Sequence, residues 1–127
     1  MLINVETEKS VEEVSARLQE VAKSKGFGVM ATHEVTEVLK SKGHPINYRC
    51  VIIEVCQPKA ASQVLSKNPL ISTAMPCRIS VFERDGRTVV STIAPTRMLE
   101  MYDEPELAEV AEEIERLMKE IMEESAR

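Results

Sequence analysis

Three cysteines and two histidines are the residues of this sequence best suited to nucleophilic, redox or metal chemistry. Cys56 stands out among them, because it lies between the apolar segment 48–55 and a predicted helix that begins at Pro58. The free N–H groups and the dipole of a helix N-terminus stabilise an anion, and Lys59 adds a positive charge. Both effects favour a thiolate over a thiol. Packing is the alternative role for Cys56, because free cysteines are among the residues most often buried.

A second thiol, Cys77, begins a later predicted strand. If the strands before and after residues 57–76 are antiparallel neighbours, Cys77 lies near Cys56. If that connection is a parallel crossover, the two thiols lie at opposite ends of the sheet. The sequence leaves both topologies open. The predicted ligand-binding residues are Cys56, Pro58, Lys59, Cys77 and Arg78.

Other chemical motifs are absent or fail on their context. The cysteines and histidines have no paired spacing such as Cys-x-x-Cys, so we predict no metal site. Residues 26–31 match the residue pattern of a dinucleotide-binding loop. Such a loop follows a strand and precedes a helix, whereas here a helix precedes and a strand follows, so we reject the match. There is no nucleophile elbow and no phosphate-binding loop. We therefore predict no catalytic residue and no cofactor.

Length and charge place further bounds on the protein. A chain of 127 residues with 43% hydrophobic composition predicts one globular domain over residues 1–127. The sequence shows no long apolar run, no signal peptide and no disulfide framework, which predicts a cytoplasmic protein with free thiols and no membrane partner. The net charge is −5, made up of −8 over residues 100–127 (3 basic, 11 acidic) and +3 elsewhere. Such a weak basic balance argues against nucleic acid as a partner.

The elements that must position these residues follow from periodicity and caps. Ser10 and Glu13 form a predicted capping box at the start of the first helix. The hairpin turn is predicted at Asp85-Gly86, and the last helix from about Glu104 with Pro105 in its first turn. The order of elements predicts an α+β fold. The predicted strands are 2–5, 27–35, 48–55 and the two arms of the hairpin, and the other predicted helices are 36–42 and 58–66.

Strand parity predicts which side chains face the core. Val51, Ile53 and Val55 form one face of the strongest strand. The other face, with Cys50 and Ile52, is too apolar to be fully exposed, and this favours a covering partner. On the strand that begins at Phe27, parity places Phe27, Val29, Ala31 and His33 in the core-facing row.

Several stretches resemble the domain-of-unknown-function 302 family over residues 8–120. The most specific are Cys56-x-Pro58 with the helix that follows, and Pro76-Cys77-Arg78. The resemblance implies a β-α-β(4)-α fold like that of TATA-binding protein, with a curved, mainly antiparallel sheet, helices packed on one face, and commonly a homodimer. The family has no established activity. Gln57 stands where the family has Asn, and Gln is expected to cap a helix poorly.

Three functional hypotheses remain open. The first is a domain that binds or senses a small anionic or thiol-reactive ligand at the helix N-terminus, which requires Cys56 to be partly exposed in a pocket. The second is a homodimeric interaction or scaffold protein with structural cysteines. The third is a thiol-dependent redox enzyme in which Cys77 resolves Cys56, which requires the antiparallel arrangement.

Overall fold

The computed structural model describes residues 1–127 as an α+β fold built on one five-stranded sheet. The sheet order is β1-β5-β4-β3-β2, and every neighbouring pair is antiparallel. This confirms the predicted α+β class and antiparallel sheet. It also decides the topology between the two thiols, because β3 and β4 are antiparallel neighbours. The strands are β1 (Leu2–Thr7), β2 (Gly28–Glu34), β3 (Cys50–Cys56), β4 (Cys77–Arg84) and β5 (Arg87–Ile93).

Five helices and three 3-10 turns complete the fold. The α1 capping box is present as predicted, with Ser10 Oγ accepting from Glu13 N at 3.1 Å. The short helix α4 and the 3-10 turns beside it were not predicted, and the last α-helix begins at Ala108 after a 3-10 turn that starts at Pro105. The helices are α1 (Val11–Ser24), α2 (Val35–Ser41), α3 (Pro58–Lys67), α4 (Pro95–Leu99) and α5 (Ala108–Ala126), and the 3-10 turns are Pro69–Ala74, Glu100–Tyr102 and Pro105–Leu107.

The core lies between one face of the sheet and the helices α1 and α5. Apolar residues at helical spacing on both helices pack against alternating residues of the strands. Ile53 and Ile79 are fully buried on paired positions of β3 and β4. This arrangement leaves the opposite face of the sheet only partly covered, and Leu2 and Ile93 on it are 60% and 48% exposed.

The β4–β5 turn has the conformation that its sequence demands. Asp85 and Gly86 have φ angles of 53° and 76°. Positive φ at both central residues is the signature of a type I′ turn, whose twist matches that of the flanking strands. The predicted hairpin is thereby confirmed.

A β-bulge in β2 overturns the predicted orientation of His33. Val29 pairs with Val55 and Ala31 pairs with Glu54, so Met30 is an extra residue between them. An extra residue shifts every later side chain to the other face of the sheet. Ala31 and His33 therefore lie opposite Glu54 and Ile52 on the partly covered face, and their predicted places in the core-facing row are wrong.

No helix in the structure combines the length and the apolar character needed to span a bilayer.

Candidate functional site

The junction of β3 and α3 positions Cys56. Cys56 is the last residue of β3, Gln57 is the N-cap, and Pro58 is the first helical residue. The side-chain Oε1 of Gln57 accepts a hydrogen bond from Ala60 N at 2.7 Å. The expectation that Gln57 would cap poorly is therefore wrong: its longer side chain reaches the same N–H group that an Asn would satisfy.

This cap limits what the helix N-terminus can offer an anion. Pro58 has no N–H group, and Ala61 N donates to Gln57 O at 3.0 Å. Because Ala60 N donates to Gln57 as well, Lys59 keeps the only backbone donor of the first turn without a protein partner. One donor is a weak basis for an anion site.

A pocket of about 100 Å³ lies beside this junction, and we call it the thiol pocket. One wall is formed by α3 and the segment that leads into β4, and the other wall by α4, α5 and the turns between them. The lining contains no Asp, Glu, Lys, Arg or His, and its only groups that can lose a proton near neutral pH are the two thiols. The lining residues are Phe27, Val55, Cys56, Gln57, Ala60, Ala61, Val64, Ile71, Ala74, Met75, Pro76, Cys77, Pro95, Met98, Leu99, Tyr102, Leu107, Val110, Ala111 and Ile114.

Both Cys56 and Cys77 line this pocket, and both are half-buried. Cys77 pairs with Val55 in the sheet, which places it beside the residue that precedes Cys56. Burial raises the pKa of the Cys77 thiol from about 9 to about 11, and the nearby Cys56 thiolate contributes in the same direction. Cys77 is therefore a thiol at neutral pH.

The other three predicted site residues lie outside the pocket. Pro58 and Lys59 are exposed on the surface of α3. Arg78 lies on the opposite face of the sheet from Cys77, where its Nε donates to Glu54 Oε2 at 3.1 Å. This bond, together with a weaker one from His33, holds the pKa of Glu54 below its ordinary value. The structure thus brings together the two thiols but not the two cations.

Three polar contacts tie the two walls together at the rim. Thr73 Oγ1 and the Tyr102 hydroxyl lie 2.7 Å apart, and Thr73 donates its own proton to Leu70 O. Tyr102 is therefore the donor to Thr73. The other two contacts join Lys67 Nζ to Glu106 at 3.1 Å and Asn68 Nδ2 to Glu104 at 3.4 Å.

The sequence analysis missed the wall formed by residues 95–107, which we call the strap. The sequence signal for this segment is short. Pro95 occupies the first position of a helix, and the apolar residues Met98 and Leu99 follow it. A helix of five residues is too short for periodicity to reveal.

The third thiol, Cys50, lies elsewhere. It is on the partly covered face of the sheet, with its Sγ atom 4.0 Å from Ser80 Oγ. No group of three His, Cys, Asp or Glu side chains lies together in the structure in a way that would hold a metal ion.

Comparisons with known proteins give a family and a fold. The family model described as "Domain of unknown function DUF302" matches residues 3–125. The chain is also similar to the crystal structure of an uncharacterized conserved DUF302 protein from Bacillus stearothermophilus. The two share 33% identity over 99% of this chain and 98% of the other, with a TM-score of 0.93. No curated protein matches the chain.

Proposed function

The chain belongs to the DUF302 family, and we propose that its function is to bind a small, uncharged, mainly apolar molecule in the thiol pocket. The observation that supports this proposal is the lining of the pocket, in which 17 of 20 residues are hydrophobic. Two polar groups at the pocket already have partners: Gln57 Oε1 is engaged in the helix cap, and the Tyr102 hydroxyl donates to Thr73. A ligand would therefore gain its affinity mainly from apolar contact.

The size of the pocket sets the size of the ligand. A dry cavity of about 150 Å³ in another protein accommodates benzene. The thiol pocket, at about 100 Å³, is smaller than that cavity but open at its rim. It therefore suits a molecule smaller than benzene, or a ring of benzene size whose edge extends to the rim.

The proposed ligand is uncharged, whereas the sequence analysis considered an anionic one. Transferring an anion into apolar surroundings without a paired cation is costly. The two nearby cations, Lys59 and Arg78, do not line the pocket. The thiol-reactive part of that hypothesis is retained, because a bound molecule would contact the Cys56 side of the pocket.

Titration with fluorobenzene, followed by ¹⁹F NMR, tests the proposal. We expect saturable binding by the wild-type chain, weakened at least about tenfold in Ala61→Leu, since the larger side chain fills part of a pocket of this size. Ala16→Leu is the matched control, because Ala16 is an exposed residue of another helix, α1.

Two results would contradict the proposal. One is the absence of saturable binding by the wild-type chain. The other is equal binding by wild type and Ala61→Leu, which would place the probe at another site.

Self-association through the partly covered sheet face is a second candidate. Exposed apolar residues at one end of this face, Leu2, Ile93 and Met101, line a shared groove and are 60%, 48% and 70% exposed. Contiguous exposed apolar surface of this kind is typical of an interface. This candidate concerns a different surface from the thiol pocket, so both functions are compatible.

We do not propose the thiol-redox enzyme. A cysteine nucleophile normally works beside a base, and no His, Asp, Glu or Lys lines the pocket. His33 is on the other face of the sheet, paired with Glu54 at 3.4 Å. Cys77, with its pKa raised to about 11, is also poorly suited to attack as a thiolate at neutral pH.

A further inference from the structure

Four sulfur-bearing side chains line the thiol pocket: Cys56 and Cys77 from the sheet end, Met75 just before β4, and Met98 from α4. We propose that these side chains bind one monovalent soft metal ion, Cu⁺. This goes beyond the binding of an apolar molecule and does not depend on it, because it concerns only the sulfur atoms of the pocket.

The donor set selects the class of metal. Thiolate sulfur suits both Cu⁺ and Zn²⁺, and thioether sulfur is a soft ligand that suits Cu⁺, whereas zinc sites are built from Cys, His and carboxylate ligands. Carboxylates and water suit Mg²⁺, Ca²⁺ and Mn²⁺. No carboxylate and no imidazole lines this pocket, so the ligands that hard or borderline ions prefer are missing. Because only two thiols are present, the coordination must be completed by thioether sulfur from Met75 and Met98.

The surroundings select the charge of the ion. In a pocket with no charged side chain, a complex of zero net charge has the lowest cost of burial. One Cu⁺ ion and one thiolate give such a complex. Cu⁺ with two thiolates would leave a net charge. A divalent ion with two thiolates would be neutral, but a zinc site is normally built from four Cys, His or carboxylate ligands, and this pocket offers only two.

The two thiols therefore have unequal roles. Cys56 is the thiolate ligand, and its proton passes to the solvent as the copper–sulfur bond forms. Its position directly before the α3 N-cap gives Cys56 this role, because a helix N-terminus favours a thiolate over a thiol. Cys77 lies at the start of a strand without such a dipole and is the weaker ligand, and the methionines supply neutral sulfur without any loss of a proton.

The fold places these residues on both walls. The β3–β4 register sets Cys77 opposite Val55, next to Cys56, and Met75 precedes Cys77 by two residues. Met98 lies on the strap, across the pocket. A bound ion would thus bridge the strap to the end of the sheet.

Competition with a chromophoric Cu⁺ chelator, under anaerobic conditions with the full chain, tests the proposal. Native mass spectrometry gives the stoichiometry, for which we expect one Cu⁺ per chain. We expect Cys56→Ser to weaken binding about a hundredfold or more, and Cys77→Ser and Met98→Leu to weaken it about tenfold or more, because even the loss of an outer-shell partner typically costs about 10–100-fold in metal affinity. Cys50→Ser is the matched control and should bind as tightly as wild type.

Several results would overturn the proposal. They are no 1:1 complex, equal affinity in wild type and Cys56→Ser, or a loss in Cys50→Ser as large as that in Cys56→Ser. Met98→Leu keeps the pocket apolar and nearly constant in volume, so it remains informative if a cysteine variant fails to fold. Fluorobenzene binding that survives while Cu⁺ binding fails would refute the copper site and leave the apolar-ligand proposal standing.

Discussion

Cys77 shows how burial alone changes the chemistry of a residue. The same thiol in water would titrate near 9, and its position in the apolar pocket raises the pKa to about 11. The charged form is disfavoured because the surroundings offer it neither a cation nor hydrogen-bond donors. The sequence motif Pro76-Cys77-Arg78 suggests a nearby cation, but alternation along β4 directs Arg78 to the other face.

The raised pKa of Cys77 predicts a loss of stability at alkaline pH. Between about pH 9 and pH 11 the folded chain holds a proton that the unfolded chain has lost, so the free energy of unfolding decreases as pH rises through this window. The rise of this pKa from about 9 to about 11 corresponds to a loss of about 2–3 kcal/mol in the free energy of unfolding, which is complete near pH 11 and absent below pH 9.

Urea denaturation at several pH values between 8 and 11 measures this effect. Cys77→Ala is the control, because it keeps every other alkaline group and should show a shallower decline. Parallel declines in wild type and Cys77→Ala would contradict the assignment to Cys77.

Among the contacts between elements, the end of the strap near Tyr102 is joined to the opposite wall of the pocket by polar contacts at the rim. Tyr102 lines the pocket and donates to Thr73 on the 3-10 turn Pro69–Ala74. The next residue, Asp103, has a positive φ of 50°, a left-handed conformation that is uncommon outside glycine and that Asp tolerates. The strap is therefore a short, locally bent segment with few fixed hydrogen bonds across the pocket.

Removing the Tyr102 hydroxyl should make the thiols more accessible. A surface hydrogen bond contributes about 1 kcal/mol, so we expect Tyr102→Phe to raise the alkylation rate of Cys56 by iodoacetamide about fivefold. The measurement uses a Cys50→Ser background at pH 7.5, so that Cys50 does not contribute and Cys77 reacts slowly.

Tyr48→Phe is the matched control, since Tyr48 is the only other tyrosine and does not line the thiol pocket. An unchanged rate in Tyr102→Phe would show that this hydrogen bond does not limit access to the pocket.

A second connection between elements is made by Arg49. Its guanidinium contacts Glu12 in the first turn of α1 and Glu34 at the end of β2, at 2.8 Å for Glu34. The hydrogen bond to Glu34 is the largest cause of a raised pKa at Arg49, and Glu12 contributes in the same direction. Its backbone exchanges hydrogen bonds with Glu83, whose carboxylate accepts from Arg49 N at 2.8 Å. Arg49, which directly precedes β3, thus joins the helix α1 to the strands β2 and β4.

We expect Arg49→Ala to lower the free energy of unfolding by about 1–3 kcal/mol, because several charge-assisted hydrogen bonds are lost together. Arg49→Lys should recover only part of this loss, since an ammonium group cannot span both carboxylates as a guanidinium does.

Arg97→Ala serves as the comparison in the same urea titrations. The Arg97–Glu100 pair is exposed and lies within one turn, so its loss should cost less than about 0.5 kcal/mol. Equal losses in the two arginine variants would contradict the connecting role of Arg49.

At the scale of the whole molecule, one face of the sheet carries α1 and α5 and the other is only partly covered. The partly covered face alternates apolar residues, such as Ile52 and Ile93, with the ion pair of Arg78 and Glu54. A mixed surface of this kind suits contact with a second copy of the same chain, because like faces are self-complementary around a two-fold axis.

Sedimentation equilibrium at micromolar concentrations tests the expected homodimer. We expect a dimer for wild type and a monomer for Ile93→Glu, which places a charge on the apolar end of the face. Leu65→Glu is a control on α3, where Leu65 is 38% exposed and away from the sheet. A monomeric wild-type chain would refute this interface.

Elements with local sequence signals were predicted correctly. The capping box of Ser10, the Asp85-Gly86 turn and the apolar alternation of β3 each depend on a few neighbouring residues, and each is present in the structure. The α+β class follows from the order of these elements.

The positions at which distant side chains meet depend on strand pairing and packing, and local patterns do not reveal them. The bulge at Met30 reversed the orientation of His33, because one inserted residue changes parity and leaves no clear mark in the apolar pattern. The antiparallel pairing of β3 with β4 brought Cys56 and Cys77 to one pocket, and β-strand alternation took Arg78 out of it. The opposite wall comes from residues 95–114, some forty residues along the chain from Cys56, and local sequence patterns carry no information about such distant contacts.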